Sequence, residues 1–345
     1  MPHAHDRLCA VPLAGLLLLA SVPLLAQLPQ APPSHLQKLA HTYSIVAWDS
    51  VTGDLGVAVQ SKFPNVGGIV PWAVAGVGAV ATQSLANTAY GERGLELMAR
   101  GATAEEALRI VMRSDTSLQD RQVGMVDARG GTASFTGRST FDWAGGRVGG
   151  TPGGTLGGKG DVIAGRGYAA QANIMVSDQT VRNMAESFER STGALADRLL
   201  AALKAGQAGG GDKRGMQSAA LLVVRAGAGY LGANDRFIDL RVYDAADPIA
   251  ELDRILRLHK IHFFPSEPAD LVPISPDIIR QLEPILLREP VGAEEKWLRR
   301  PEGKASQVFL TALRDFMYWE NYDVRVRMDG RIDRAVLADI LAKRR

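Results

Sequence analysis

The sequence predicts an α+β fold in which two stacked β-sheets lie between layers of helices, followed by a small helical domain. Three observations carry that expectation. Short runs rich in Val, Ile and Ala, "YSIVAWD", "DLGVAVQS" and "GVGAVATQS", follow one another closely between Thr42 and Ser84 and read as strands. Helical patterns then come in groups, with strands returning after each group. Strands this apolar need cover on both faces, so sheet must stack on sheet with helices outside.

In chain order, "SVTG" turns the first strand into the second, and "GGIVPWAVA" leads to "GVGAVATQS" (76–84). Asn87 is placed to cap a helix over "TAYGERGLELMARG", and Thr103 with Glu106 has the spacing of a capping box ahead of "ALRIVMRS". "RQVGMVDARGGTASFTG" (121–137) returns to strands around an Asp-Ala-Arg-Gly-Gly turn. "GGTLGGKG" (153–160) has the glycine and Lys159 spacing of a phosphate loop. However, Gly160 stands where the Mg²⁺-binding hydroxyl belongs, so 144–160 reads as a flexible loop. Ser177 opens a helical stretch through Lys204. "SAALLVV" and "RFIDLRVYD" give two more strands, and Asp235, Arg236, Asp239, Arg241 and Asp244 make a charged face or buried ion pairs on the second. Asp247-Pro248 caps "IAELDRILRLH". His259 and His262 behind it have metal-ligand spacing but no third ligand nearby, which favours a structural role and no metal.

Composition narrows the function classes. With 39 basic against 37 acidic residues and no Lys/Arg cluster interleaved with aromatics, nucleic acid is not an expected partner. The apolar run "VPLAGLLLLASVPLLA" (11–26) behind Arg7 has the dimensions of a signal-peptide core, short of the roughly 20 residues of a membrane span. The expectation is a signal peptide over 1–26, a periplasmic or secreted protein, and no stable membrane span after cleavage. Cys9, the single cysteine, precedes the apolar run, so the mature chain would lack disulfides, a thiol nucleophile and thiolate-bound zinc. Residues 27–41 are a Pro-rich leader or linker.

After "FFPSEP" the chain changes character. Three prolines, Pro265, Pro268 and Pro273, break up a linker over 263–274. Ser275-Pro276, Ser306 and Asp333 are then placed to cap helices over "DIIRQLEPILLRE", "QVFLTALRDFMYWENY" and "RAVLADILAKRR". The expected domains are therefore 42–262, mixed α+β, and 275–345, helical.

The motifs "TYSIVAWDSVTGDLGVAVQSKF", "VPWAVAGVGAVATQS", "RQVGMVDARGGTASFTG", "GYAAQANIM", "GGDKRGMQSAALLVVR" and "DRFIDLRVYD" resemble the family known as domain of unknown function 1028. That family is itself similar to the N-terminal-nucleophile (Ntn) hydrolases. The resemblance implies a four-layer αββα sandwich. It also implies hydrolysis of an amide bond in a small molecule or peptide, with no cofactor. Residues 275–345, chiefly "FLTALRDFMYWENYDVRVRMDGRIDRAVLADIL", resemble a domain found behind this family and associated with peptidoglycan binding. Peptidoglycan is thus a second expected partner, with Trp319, Tyr318 and Tyr322 as aromatics able to stack on sugar rings. Oligomeric state stays open.

In an Ntn hydrolase the first residue supplies both the nucleophile and, through its α-amine of pKa about 8, the base. The resemblance puts Thr42 in that place and Ser61 beside it as polar support. Starting the count at Ser44 matches the hairpin length of the proteasome subunits without an insertion, so Ser44 is the alternative nucleophile. His41 precedes Thr42, and cleavage after Ala26 would leave 27–41 in front of it, so a second cleavage is required. No lysine occurs in "WAVAGVGAV", where the proteasome resemblance would put one. Alternation puts Gln171 and Asn173 on one side of an extended segment. Asp212, Arg214, Gln217 and Ser218 lie in a Gly-flanked loop entering a strand. With Gln60 and Gln83 they form the expected substrate-binding set. The competing expectation is a non-catalytic envelope-binding protein that keeps the fold.

Overall fold

The structure, a computed structural model, describes residues 42–141, 143–149, 155–158, 161–162, 167–287 and 305–343. The expected signal peptide and leader lie outside the described residues. The fold is α+β with mainly antiparallel sheets. Elements are numbered in chain order. β1 (Thr42–Trp48) and β2 (Leu55–Ser61) form a hairpin whose turn is tied by the Asp49 carboxylate, which accepts from the Val51 and Thr52 N–H groups at 2.8 and 3.1 Å.

A seven-stranded sheet has the order β12 (Arg236–Val242), β11 (Ser218–Val224), β2, β1, β10 (Tyr168–Asn173), β7 (Gly145–Gly149), β9 (Asp161–Val162). A five-stranded sheet has the order β3 (Pro71–Val74), β4 (Gly78–Ser84), β5 (Arg121–Asp127), β6 (Thr132–Thr136), β8 (Thr155–Gly158). The pairs β6–β8 and β7–β9 are parallel and the others antiparallel. The flexible loop expected over 144–160 is thus a misreading where it is described, because β7 and β8 are strands. Glycines have low strand propensity, yet β7 gains its place through backbone pairing with β10, which side-chain pattern does not record.

Side-chain alternation builds three packed surfaces. Tyr43, Ile45 and Ala47 of β1 face α3 (Gln179–Arg190), α4 (Leu195–Ala208) and α5 (Pro248–Phe263). On the other face of β1, Val46 joins Val57 and Val59 of β2 and Ala79, Ala81 and Val126 of the second sheet. Val80, Val123 and Met125 point outward from that second sheet to α1 (Ala89–Ala99) and α2 (Ala104–Met112). Each buried aliphatic side chain contributes about 1.5–3 kcal/mol, and β1, like β2 and β11, is buried on both faces. Thr103 and Glu106 form the expected capping box on α2. Asn87 bonds the first N–H of α1, at Ala89, from one residue ahead of the cap position.

The C-terminal part has its own core, made by α6 (Pro276–Leu286), α7 (Gln307–Trp319) and α8 (Arg334–Ala342), and capped as expected by Ser275, Ser306 and Asp333. It is not purely helical. β13 (Leu271–Pro273), inside the expected linker, pairs with β14 (Arg331–Asp333), a ribbon too short to leave a period-two signature. Nor does a free linker separate the two parts, since Ile261 of α5 belongs to the C-terminal core. The His262 ring stacks on Tyr322 at 4.8 Å, and Arg325 donates to the Lys260 carbonyl at 2.8 Å. His259 Nε2 donates to the Phe237 carbonyl at 3.3 Å, so both histidines have structural places. Among the described residues no helix is long and apolar enough to cross a membrane.

Arg325 also pairs with Asp333, a carboxylate with no exposed side-chain surface. Replacing Arg325 with Met would leave that charge buried alone. The expected cost is about 3–5 kcal/mol, read as a lower urea midpoint for the transition reported by Trp319 fluorescence.

Candidate functional site

Thr42 is the first residue of β1 and stands between two strands, opposite Ser61 on β2 and Asn173 on β10. Its Oγ1 lies 3.0 Å from Ser61 Oγ, and only 3% of the residue is exposed. Even-numbered residues of β1 point between the sheets, so Ser44 follows Thr42 into the same space. Ser44 Oγ donates to Gln83 Oε1 and accepts from Gln171 Nε2, both at 2.6 Å.

A network of uncharged amides continues from there. Gln83 Nε2 is within bonding distance of the Thr42 carbonyl (3.1 Å), Gln122 Oε1 (2.7 Å) and the Gln171 carbonyl (3.3 Å). Asn173 Nδ2 donates to Gln122 Oε1 at 2.8 Å and reaches the Thr42 carbonyl at 3.4 Å. Gln122 Nε2 in turn donates to Thr136 Oγ1 and the Ala172 carbonyl, both at 2.9 Å. Two amide side chains from different sheets therefore converge on the carbonyl of the first residue of β1. All of these residues are almost completely buried. Three buried polar atoms here, Gln171 Oε1, Asn173 Oδ1 and Ser134 Oγ, have no protein partner. The network needs close backbone approach, because a Cβ on Gly124 would lie 2.1 Å from Gln171 Oε1.

Backbone strain sits at the same end. Ser84, directly after Gln83, has φ 67°, and Ile174, directly after Asn173, has φ 58°. Left-handed geometry is uncommon for Ser and a true outlier for a β-branched residue, and such strain concentrates at functional sites. Ile174 is held there by the Phe141 carbonyl, which accepts its N–H at 3.1 Å. The Ser84 corner is held by Arg121, which donates to the Leu85 carbonyl and pairs with Asp115 at 2.9 Å. Burial pushes the Asp115 carboxyl up. Bonds from Arg121, Asn87, the Ser117 N–H and Tyr90 outweigh that effect and hold it well below the usual carboxylate range.

The expected set is only partly brought together. Thr42, Ser44, Ser61, Gln83, Gln171 and Asn173 meet. Gln60 does not, since it pairs with Tyr43 on the opposite, helix-facing side of the sheet, where its amide is buried without a partner. Ser218 stands in the same row as Ser61, but its hydroxyl donates to the Phe63 carbonyl and accepts from Val66 N–H, tying down the chain after β2. Arg214 pairs with Asp212 at 3.1 Å, and Gln217 is fixed by its backbone between Ser61 and Ala245. Gln122 is the residue that sequence reading missed; its signal was a polar side chain at a sheet-facing position inside an apolar strand. A cavity of about 500 Å³ lies elsewhere, between β3, α1 and β12, and is not lined by Thr42.

Two outcomes follow. Gln122→Leu should leave Gln83 and Asn173 short of an acceptor, and is expected to cost about 2–4 kcal/mol in urea unfolding, given about 1–3 kcal/mol per unsatisfied buried group. Because the folded carboxyl of Asp115 is depressed, its stabilisation is present above the ordinary Asp value and lost as pH falls through and below it. Amide exchange at Leu85 to Ala89 should therefore accelerate below about pH 4 ahead of the β1 amides.

A family model described as a family of unknown function (DUF1028) matches residues 42–252. Among solved structures, the chain is similar to the crystal structure of a Silicibacter pomeroyi protein that carries the same family model. The two share 27% identity and a TM-score of 0.54, over 64% of this chain and 89% of that one. Comparison with curated proteins gives no match.

Proposed function

We propose, from the premise that the chain belongs to the family of unknown function DUF1028, that it is a hydrolase of the N-terminal-nucleophile type cleaving an amide bond in a small molecule or peptide. Two facing sheets with helices outside support a four-layer αββα reading of its main domain. The observation that carries the proposal is Thr42 itself. It leads a central strand with its hydroxyl 3.0 Å from Ser61, its carbonyl reached by Gln83 and Asn173, and strained strand ends on either side.

In this reading, cleavage of the His41–Thr42 peptide frees the α-amine. The neutral amine takes the Oγ1 proton as Oγ1 attacks the substrate carbonyl, backbone or side-chain N–H groups hold the oxyanion, and the protonated amine gives its proton to the departing nitrogen. Water then attacks the acyl-threonine ester, with the amine again as base, and releases the acid. Ser61 Oγ orients the nucleophile. Ser44 is the weaker candidate, because its hydroxyl already donates and accepts within the network and its backbone lies two rungs inside the ladder.

A second reading, a non-catalytic envelope-binding protein, is favoured by the burial of Thr42 and by a cavity that does not include it. Under either reading the protein is exported with loss of 1–26 and held at the wall by its C-terminal part. Tyr318 and Trp319, 49% and 59% exposed at the end of α7, support stacking on sugar rings, whereas Tyr322 is core.

The deciding measurement is the mature N-terminus in the native host. Intact mass should show a species beginning at Thr42, and a β-lactone electrophile should label that species but not Thr42→Ala. A mature chain beginning near Gln27 that resists labelling would leave only the binding reading. For the wall, the full chain should sediment with purified peptidoglycan, and a Tyr318→Ala, Trp319→Ala double variant should stay in the supernatant. Equal sedimentation of both would remove the stacking role.

A further inference from the structure

The cavity of about 500 Å³ falls in the size range of ligand sites, and its walls include every residue of β3. β3 is the edge strand of the five-stranded sheet, with β4 as its single neighbour. It packs over β2 and β11 of the other sheet, so β12 extends beyond it, and among the described residues no strand of the five-stranded sheet stands above β12. The cavity occupies that missing place, with α1 on one side and Leu222, Val224, Arg236 and Arg241 on the other.

The phase of the ladder shows which backbone groups look into it. Thr82 N donates to the Val70 carbonyl, which makes Val70 and Thr82 a hydrogen-bonded pair. In an antiparallel ladder such pairs alternate, so Trp72 with Val80 is bonded, whereas Pro71 and Ala73 turn their backbone groups away from β4. Pro71 agrees with this phase, because an edge proline tolerates its missing N–H on the outer side. Ala73 therefore directs both its N–H and its C=O into the cavity, where no other strand meets them.

We propose that this slot binds a short extended peptide as an added strand, antiparallel to β3 and hydrogen-bonded to Ala73. The side-chain pattern it would read follows from the pleat. A peptide residue opposite Ala73 points, as Ala73 does, between the sheets, toward Leu222 and Val224, and is apolar. Its neighbours point, as Trp72 does, toward α1, where Glu92 and Glu96 line the cavity, and are basic. Main-chain bonds give such a site its affinity and the alternate pockets give it selectivity. The four-residue length of β3 and its leading proline restrict pairing to the one residue, Ala73, that offers a donor and an acceptor. The slot is recessed between α1 and β12, which suits a single slender chain rather than the edge of a second folded copy. This inference stands apart from the hydrolase reading, since it uses none of the Thr42 network.

The test uses the full chain and the fluorescein-labelled hexapeptide acetyl-Lys-Val-Lys-Val-Lys-Val-amide, followed by anisotropy. Saturable binding is expected, and the same peptide with Glu for Lys should bind more weakly. Ala73→Pro removes the outward N–H without touching a bond to β4, and should weaken binding by about fivefold to tenfold, the worth of one hydrogen bond. Should that variant fold poorly, N-methylation of the peptide valines removes the reciprocal donors and should weaken binding to the unaltered chain by a similar factor. Absence of saturable binding, or binding insensitive to both blocks, would overturn the proposal. So would sedimentation showing a dimer that Ala73→Pro dissociates, since β3 would then pair with a second copy.

Discussion

The constraint on which the site depends is that β1 is buried on both faces, so every polar group it carries must be answered inside the protein. One face is simple, because Tyr43, Ile45 and Ala47 meet helices through apolar contact. The other begins with two hydroxyl residues, Thr42 and Ser44, and apolar packing does not resume until Val46. A buried hydroxyl without a partner costs on the order of 1–3 kcal/mol, so the facing strands supply Gln83, Gln122, Gln171 and Asn173 at the matching depth. The sheets thus adhere through hydrocarbon over most of their common face and through amides at one end. Apolar packing tolerates small slips of one sheet over the other. A hydrogen-bonded amide network does not, so it fixes how the two sheets are registered around Thr42.

Much of this was legible in the sequence because it depends on alternation. Gln171 and Asn173 share a face for the same reason that they occupy alternate positions, and Thr42 and Ser44 share theirs likewise. The same rule puts Gln60 on the opposite face. Ser61 faces Thr42, so its chain neighbour must face the helices. Gln122 was hidden for a different reason. Nothing local in "RQVGMVD" says that its alternate face meets another sheet instead of solvent, and only the stacking of the sheets turns that glutamine into the centre of a network. The strands at 145–149 and 155–158 could not be read at all, since glycines carry no side-chain period and such strands exist through pairing alone.

The two ends of the sheet stack are built on opposite principles. At the Thr42 end, backbone strain at Ser84 and Ile174 is held in place by long-range bonds to Arg121 and Phe141. At the β3 edge a cavity of about 500 Å³ adjoins the strand, with charges of both signs around it. Strain held by long-range bonds suits a group that must be kept in one orientation. An unfilled edge suits a chain that comes and goes.

The absence of charge in the network bears on how Thr42 would act as its own base. Gln83, Gln122, Gln171, Asn173, Ser44 and Ser61 are all neutral, and among the described residues the Thr42 hydroxyl and carbonyl meet hydroxyl and amide groups. Burial of an α-amine freed at Thr42 disfavours its charged form. A freed amine would have to be in its uncharged form to take the proton from Oγ1. A nearby carboxylate would have done the opposite by stabilising the ammonium. The same neutrality explains why this site stands out so little in the sequence: its chemistry would come from a main-chain nitrogen, and the side chains around it are amides and hydroxyls that elsewhere are ordinary strand residues.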